Sequence, residues 1–305
     1  MTQVLKAGVA GAGVFGGYHA KKYAELEGVE LVGIFDPDGE RAEALASSLG
    51  VEAFTDLAAL LEKIDVLTVA SPASTHAPNA IAALKAGKPV YIEKPIATSL
   101  EDADKILNEG AKRLLPVGCG HQERVVFEAM GLFDVPETPL RLEAVRKGPA
   151  SARSLDVSVV LDLMIHDIDL ALALTPAEPL TVEAEGEFVN NDTLDVVKAE
   201  ATFSDGFTAV FEASRVAEGR ERTMKLYYPS GIVEIDFVAR TFKNTTPFML
   251  DEGFADTPAG RDPLGASVSG FLNAVRGLAP KPVVEAAEAA RALDLALAVE
   301  QAAGA

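Results

Sequence analysis

The chain has 305 residues, long enough for two domains, because single cores rarely grow past about 250–300 residues. Its 27 basic against 46 acidic residues give a net charge of −19, which works against nucleic acid and anionic membrane surfaces as partners. One cysteine, Cys119, excludes an internal disulfide, no apolar run reaches the roughly 18–20 residues needed to span a bilayer, and Met1-Thr-Gln-Val-Leu-Lys6 lacks the pattern of a secretory leader, so a soluble cytoplasmic protein is expected.

Residues 4–9 read as a short apolar strand that runs into Gly11-Ala-Gly13-Val-Phe-Gly16 and then into a helix-compatible segment. A G-x-G-x-x-G turn between strand and helix is the context that cradles a dinucleotide, with Val14 and Phe15 at the helix start. Gly11 allows the tight turn, Gly13 lets backbone approach a pyrophosphate, and Gly16 permits close helix–strand packing. Residues 30–35 read as a second strand, and Asp36 follows twenty positions after Gly16, placed to hydrogen-bond the adenosine ribose. Asp38 would also repel a 2′-phosphate, so NAD is expected over NADP. The competing reading is a plain turn, which Asp36-Pro-Asp-Gly39 also suits.

Strand and helix then alternate. Residues 41–49 read as a helix stopped by Gly50, 51–54 as a strand, 56–63 as a helix, and 64–70 as a β-branched strand ending at Ser71-Pro72. Residues 76–86 form a helix stopped by Gly87, and 90–93 a strand ending in Glu93-Lys94-Pro95. Proline forbids the strand to continue, and a lysine at the carboxyl end of a parallel strand lies where open α/β sheets bind ligands. Lys94 is therefore the first candidate for chemistry. Ser99 can cap a helix over 100–113, and 115–118 closes the series as a strand. The alternation predicts a doubly wound parallel sheet with right-handed crossovers.

Ser71-Pro72-Ala-Ser-Thr-His76, then Ala-Leu-Lys-Ala-Gly87-Lys-Pro-Val, then Glu93-Lys94-Pro95, resemble in order and spacing the nucleotide-binding domain of the glucose–fructose oxidoreductase/inositol dehydrogenase/MocA family. The resemblance implies NAD(P)-dependent hydride transfer at a secondary alcohol of a sugar, a cyclitol or a derivative. It implies a Rossmann domain over residues 1–120. A substrate-binding and oligomerisation domain over 121–305 would follow, with a large, mostly antiparallel open sheet and pairing into a homodimer or homotetramer. It places the cofactor against residues 11–16, Asp36, Ser71, Pro72, His76, Glu93 and Lys94. For His76 the competing role is packing beneath the Ser71-Pro72 turn, and Glu93 reads as a structural partner. Pro95 would fix the direction of Lys94, a cis peptide being one way to do so. His19 reads as a surface or packing residue.

After Gly120 the alternation stops. Residues 138–147, 180–189, 194–203, 207–215, 223–228 and 232–238 read as strands with hairpin turns at Ser204-Asp-Gly206 and Pro229-Ser-Gly231, and 265–276 and 284–298 read as helices. Residues 158–174 read as a single helix holding Asp162-Leu-Met-Ile-His166-Asp-Ile-Asp169. Asp162 and His166, four apart, share a face, with Asp169 one turn further on and Asp167 rotated away toward solvent or a local cap. A histidine near its ordinary pKa of about 6.5 can take a hydroxyl proton as hydride leaves, if a carboxylate one turn away holds it or binds a second substrate hydroxyl. The Asp-x-x-x-His spacing is similar to the family's catalytic helix, so Asp162 and His166 join Lys94 as catalytic candidates and as substrate contacts.

Other readings compete. His166 can be a core histidine beside solvated aspartates. A metal site from Asp162, His166 and Asp169 is disfavoured because no second cluster exists among four histidines, and no metal is expected. Gln122 is a candidate substrate contact from the crossover loop, and Arg146, Lys147 and Arg153 are candidates for an anionic substituent. A non-catalytic NAD(P)-binding regulator is the alternative from another class, and an oxidoreductase recycling bound NAD on paired substrates a third. The set Lys94, Asp162 and His166 favours an enzyme; which sugar, cyclitol or sugar nucleotide it takes stays open.

Overall fold

The computed structural model describes residues 4–151 and 156–304. They divide into two units, Met1–Gln122 with Leu264–Ala290, and Glu123–Pro263 with Arg291–Ala305. In the first unit, β1 (Leu5–Ala10), β2 (Val29–Phe35), β3 (Glu52–Phe54), β4 (Val66–Val69), β5 (Val90–Ile92) and β6 (Val117–Cys119) form a parallel sheet in the order β3-β2-β1-β4-β5-β6. The order reverses between β1 and β4, the switch point outside whose strand ends such sheets take ligands. Strands β4 and β5 are buried at every position, as parallel strands covered on both faces must be, hence their unbroken apolar runs.

Crossover helices α1 (Val14–Glu25), α2 (Gly39–Leu49), α3 (Leu57–Leu61), α4 (His76–Lys85) and α5 (Leu100–Arg113) alternate with these strands. Local chemistry sets their ends. The Asp38 carboxylate accepts from the N–H groups of Glu40 and Arg41 at the start of α2, Gly50 ends it at φ 69°, and the Ser99 hydroxyl accepts from Asp102 N–H at 3.2 Å. The segment Leu264–Ala290 returns to this unit: Val268, Phe271 and Leu272 lie in its core beside Tyr23, Ile34 and Tyr91. Gly118 and Glu285 pair as an antiparallel bridge at the β6 edge, where Cys119 N–H meets the Val284 carbonyl at 3.1 Å. A single boundary after residue 120 does not capture that return, because an amphipathic pattern does not say which sheet it will cover.

The second unit begins with α6 (Glu123–Met130), followed by β7 (Arg141–Lys147) and a wider π-type turn over Val160–Met164 that runs into α7 (Ile165–Leu174). Strands β8 (Pro179–Glu187), β9 (Val196–Phe203), β10 (Thr208–Ser214), β11 (Glu221–Tyr228), β12 (Gly231–Asp236) and β13 (Thr241–Asn244) complete a seven-stranded sheet ordered β13-β12-β11-β7-β10-β9-β8. Only β7 and β10 pair in parallel; every other neighbour is antiparallel. One face is buried through Leu142, Ala144, Ala209, Phe211, Met224 and Leu226, while Glu143, Lys198, Glu200, Glu212 and Lys225 stand on the other. The remaining helices are α8 (Pro258–Arg261), α9 (Pro263–Val275) and α10 (Ala286–Ala302). The single helix expected over 158–174 thus starts as a π turn, and α6 and β13 stand where no element was expected. Among the described residues no helix is long and apolar enough to cross a membrane.

Candidate active site

The glycine turn has the form a dinucleotide requires. Gly11 sits at φ 109°, and a Cβ there would lie 2.6 Å from the Ala70 carbonyl oxygen; a Cβ on Gly16 would run into the Gly11 carbonyl. Gly13, which precedes α1, faces open space, and no side chain caps the helix start. A substituent at Gly13 would fill the room that a pyrophosphate needs beside those N–H groups, so the turn fits the group. Val14 and Phe15 stand exposed on the first helical turn.

Asp36, buried at the end of β2, accepts from Ala12 N–H at 2.9 Å and from Asp38 N–H at 2.9 Å, with the Arg41 guanidinium 3.4 Å away. It therefore shapes the glycine turn besides standing where a ribose would be held. At the end of β4, the Ser71 hydroxyl accepts from Thr75 Oγ1 at 2.7 Å and Asn79 Nδ2 at 3.2 Å, and the Pro72 carbonyl accepts from Thr75 N–H at 2.8 Å. His76 is buried with Nδ1 2.7 Å from the Pro95 carbonyl and Nε2 2.9 Å from the Ser71 carbonyl. Burial outweighs these two contacts and holds its pKa below the usual histidine value. The ring thus packs between the Ser71-Pro72 turn and the loop after β5, and as a neutral imidazole it has one N–H to donate to one of the two carbonyls.

Lys94 follows β5 half-buried, and its peptide bond to Pro95 is cis. The residue before it is an internal anchor. Glu93 Oε1 accepts from His19 Nε2 at 2.7 Å and Gln122 Nε2 at 3.0 Å, while Oε2 meets Lys94 N–H at 3.3 Å. Burial alone would raise the Glu93 pKa, but the His19 hydrogen bond and the charges of His19 and Lys94 bring it below the ordinary carboxylate value. His19, expected at the surface, is completely buried and tilts against the Tyr91 ring at 5.4 Å. Gln122, a candidate substrate contact, turns its amide nitrogen onto Glu93, because an ionised buried carboxylate demands donors.

In the second unit the catalytic candidate His166 lies in the first turn of α7, half-buried, with Nδ1 2.7 Å from Glu123 Oε2 at the start of α6. Glu123 Oε1 accepts from Arg146 Nη1 at 2.9 Å, and Arg146 grips Asp167 through Nε at 2.9 Å and Nη2 at 2.8 Å. Arg124 grips Asp169 in the same two-pronged way at 2.8 and 2.7 Å. Burial would raise the Glu123 carboxyl, yet the charges of His166 and Arg146 hold it well below the usual range.

Two expectations change here. Asp167 is neither solvated nor a cap but buried on Arg146, and Arg146 is an internal tie rather than a contact for an anionic substituent; Asp169, one turn on from His166, is buried on Arg124. Lys147 pairs with Glu212 at 2.8 Å, and Arg153 lies outside the described residues. Asp162 is half-buried in the π turn, its N–H bonded to the Ser158 carbonyl at 2.9 Å. Among the described residues no group of three or more His, Cys, Asp or Glu is arranged to hold a metal ion. Sequence reasoning missed Glu123, Arg146 and Arg124 as partners, since they stand 43, 21 and 45 residues from the groups they bind.

Replacing Arg146 by methionine would leave Asp167 buried without its cation. The expected cost is about 3–5 kcal/mol of unfolding free energy, read by urea denaturation. A loss below about 1 kcal/mol would show that the pair contributes little.

Residues 5–121 match the NAD-binding Rossmann domain of the GFO/IDH/MocA oxidoreductase family, and residues 140–234 match a C-terminal domain of the same family. The chain is 36% identical over 289 residues to the UDP-N-acetylglucosamine 3-dehydrogenase of Acidithiobacillus ferrooxidans, covering 90% of each protein. A solved structure of that dehydrogenase superposes with a TM-score of 0.90 at 35% identity, over 99% of this chain and 98% of the other. The myo-inositol 2-dehydrogenase of Thermotoga maritima is 28% identical over 268 residues, 81% of this chain and 79% of that protein. The WlbA dehydrogenase of Bordetella pertussis, solved with NADH and UDP-GlcNAcA, shares the fold at a TM-score of 0.87 and 19% identity, over 99% and 96% of the two chains. The chain belongs to the GFO/IDH/MocA family and is an NAD(P)-dependent oxidoreductase acting on CH–OH groups.

Proposed function

We propose that the protein is a cytoplasmic, NAD-dependent dehydrogenase that oxidises a ring secondary alcohol of a nucleotide-linked sugar. The observation that carries the substrate class is the 36% identity, over 90% of both chains, to a UDP-N-acetylglucosamine 3-dehydrogenase, against 28% for a myo-inositol 2-dehydrogenase. A chain of net charge −19 repels a diphosphate unless a local cation receives it. Arg222, half-buried on β11 directly across from Arg146, makes no ion pair within 4 Å among the described residues and is such a cation.

The cofactor supplies the hydride acceptor when bound. Residues 11–16 hold its pyrophosphate and Asp36 its adenosine ribose. His166 takes the hydroxyl proton of the substrate as the carbinol hydrogen departs as hydride, and the positive charge of Lys94 stabilises the alkoxide as it develops. Asp162 binds a second substrate hydroxyl. Initial rates of NADH formation at 340 nm test the substrate class: UDP-N-acetylglucosamine should exceed N-acetylglucosamine, glucose and myo-inositol in kcat/KM. A higher value for myo-inositol would overturn the nucleotide-sugar reading.

The acidic side chain at position 36 supports NAD over NADP. Asp36→Ser is expected to lower kcat/KM for NAD by about 10–100-fold, the worth of one hydrogen bond to a charged group, and to narrow the preference. Equal kcat/KM for the two cofactors in the unaltered protein would contradict it. The open face of the seven-stranded sheet supports a homodimer or homotetramer, which light scattering would read as two or four times the 32.0 kDa chain.

A further inference from the structure

We propose that Glu123, anchored by Arg146, is a positioning residue that keeps the proton of neutral His166 on Nδ1 and so makes Nε2 the nitrogen that receives the substrate's proton. The inference rests on the reading of His166 as proton acceptor and adds what that reading leaves open, which nitrogen acts and what selects it.

A neutral imidazole carries one N–H and one lone pair, and the partner of one nitrogen decides the state of the other. An ionised carboxylate can only accept. With Glu123 Oε2 at 2.7 Å, the hydrogen must reside on Nδ1. Ionisation follows from the surroundings, since Glu123 shares Arg146 with Asp167 and meets its Nη1 at 2.9 Å. The same bond fixes the carboxylate, because Arg146 cannot swing while Asp167 holds two of its nitrogens. One end of the chain of contacts is thus a 2% exposed guanidinium on β7, and the other a half-buried ring on α7.

A purely structural tie would be redundant here. Arg124 and Asp169 already join α6 to α7, and Arg146 and Asp167 already join β7 to α7. The added Glu123 contact ends instead on the one imidazole in the group, a ring with one N–H and one lone pair to trade. When Nε2 takes the hydroxyl proton, the ring becomes an imidazolium with hydrogen on both nitrogens. Glu123 then faces that charge and takes no proton itself. The substrate loses one proton to the ring and one hydride to the cofactor.

The test is nitrogen NMR of the protein labelled at its histidine rings, with the His166 signals assigned by their loss in His166→Asn. At a pH where the ring is neutral, the unaltered protein should show protonated Nδ1 and bare Nε2. Glu123→Gln should move the ring toward the Nε2-protonated form and lower kcat on the order of 10²-fold at nearly constant KM, with partial recovery in Glu123→Asp. A bare Nδ1 in the unaltered protein would overturn the proposal, and that spectrum decides even if Glu123→Gln fails to fold. So would a Glu123→Gln variant with unchanged tautomer and kcat. Full turnover by His166→Asn would instead remove the acceptor reading, whatever the tautomer.

Discussion

Replacing Lys94 by methionine is expected to lower kcat on the order of 10³-fold while leaving NAD affinity within a few-fold. Methionine keeps the length of the side chain and removes only its charge. The backbone at position 94 donates its N–H to Glu93 and is followed by the cis peptide to Pro95, both main-chain features that methionine retains. On the proposed mechanism, what disappears is the cation that stabilises a developing alkoxide, a type of interaction whose removal costs about 10²–10³-fold in turnover. Turnover from NADH absorbance, paired with NAD binding by calorimetry, separates the two quantities. Wild-type turnover in the variant would remove Lys94 from the chemistry.

His166→Asn should cost about 10²–10⁴-fold in kcat, the range for loss of a positioned general base. The residual rate should climb with pH, because the substrate alcohol must then lose its proton to solvent. Thermal stability should fall little, since the ring is half-buried and Arg124 with Asp169 still joins the helices. A variant with unchanged turnover would leave the imidazole as a packing group, the reading a lone histidine invites. Asparagine also preserves a polar contact to Glu123, so the comparison reports on the base rather than on a stranded carboxylate.

The first unit was legible because every signal in it is local. Gly11, Gly13 and Gly16 sit within one turn, and Asp36 ends the next strand at a spacing that reports directly on geometry. His19 was not legible, because its partner Glu93 lies 74 residues away and nothing in α1 marks that position as different from its neighbours. Arg146 carries a signal of its own in the strand pattern. It shares the inward phase of β7 with Leu142 and Ala144, so its charge was bound to be buried and to need carboxylates. Asp167 and Asp169 carried another: Ile165, Ile168, Leu170 and Leu172 surround them on a helix with hardly a polar face, leaving no solvated side for two acids. The spacing of Asp162 and His166 makes them neighbours on a regular helix; it does not encode the π turn over Val160–Met164, which changes the rotation per residue there, or the contact of His166 Nδ1 with Glu123. The return of Leu264–Ala290 to the first unit depends on long-range packing that periodicity does not encode.

Hydride transfer from the sugar ring is the central claim, and isotope transfer reads it without intermediaries. The protein is mixed with NAD and UDP-N-acetylglucosamine deuterated at C3, and the reduced cofactor is analysed by mass spectrometry. The account predicts NADH heavier by about one mass unit, formed over many turnovers by the unaltered protein and suppressed in Lys94→Met and His166→Asn. Saturated NAD binding without transfer of the label would contradict it.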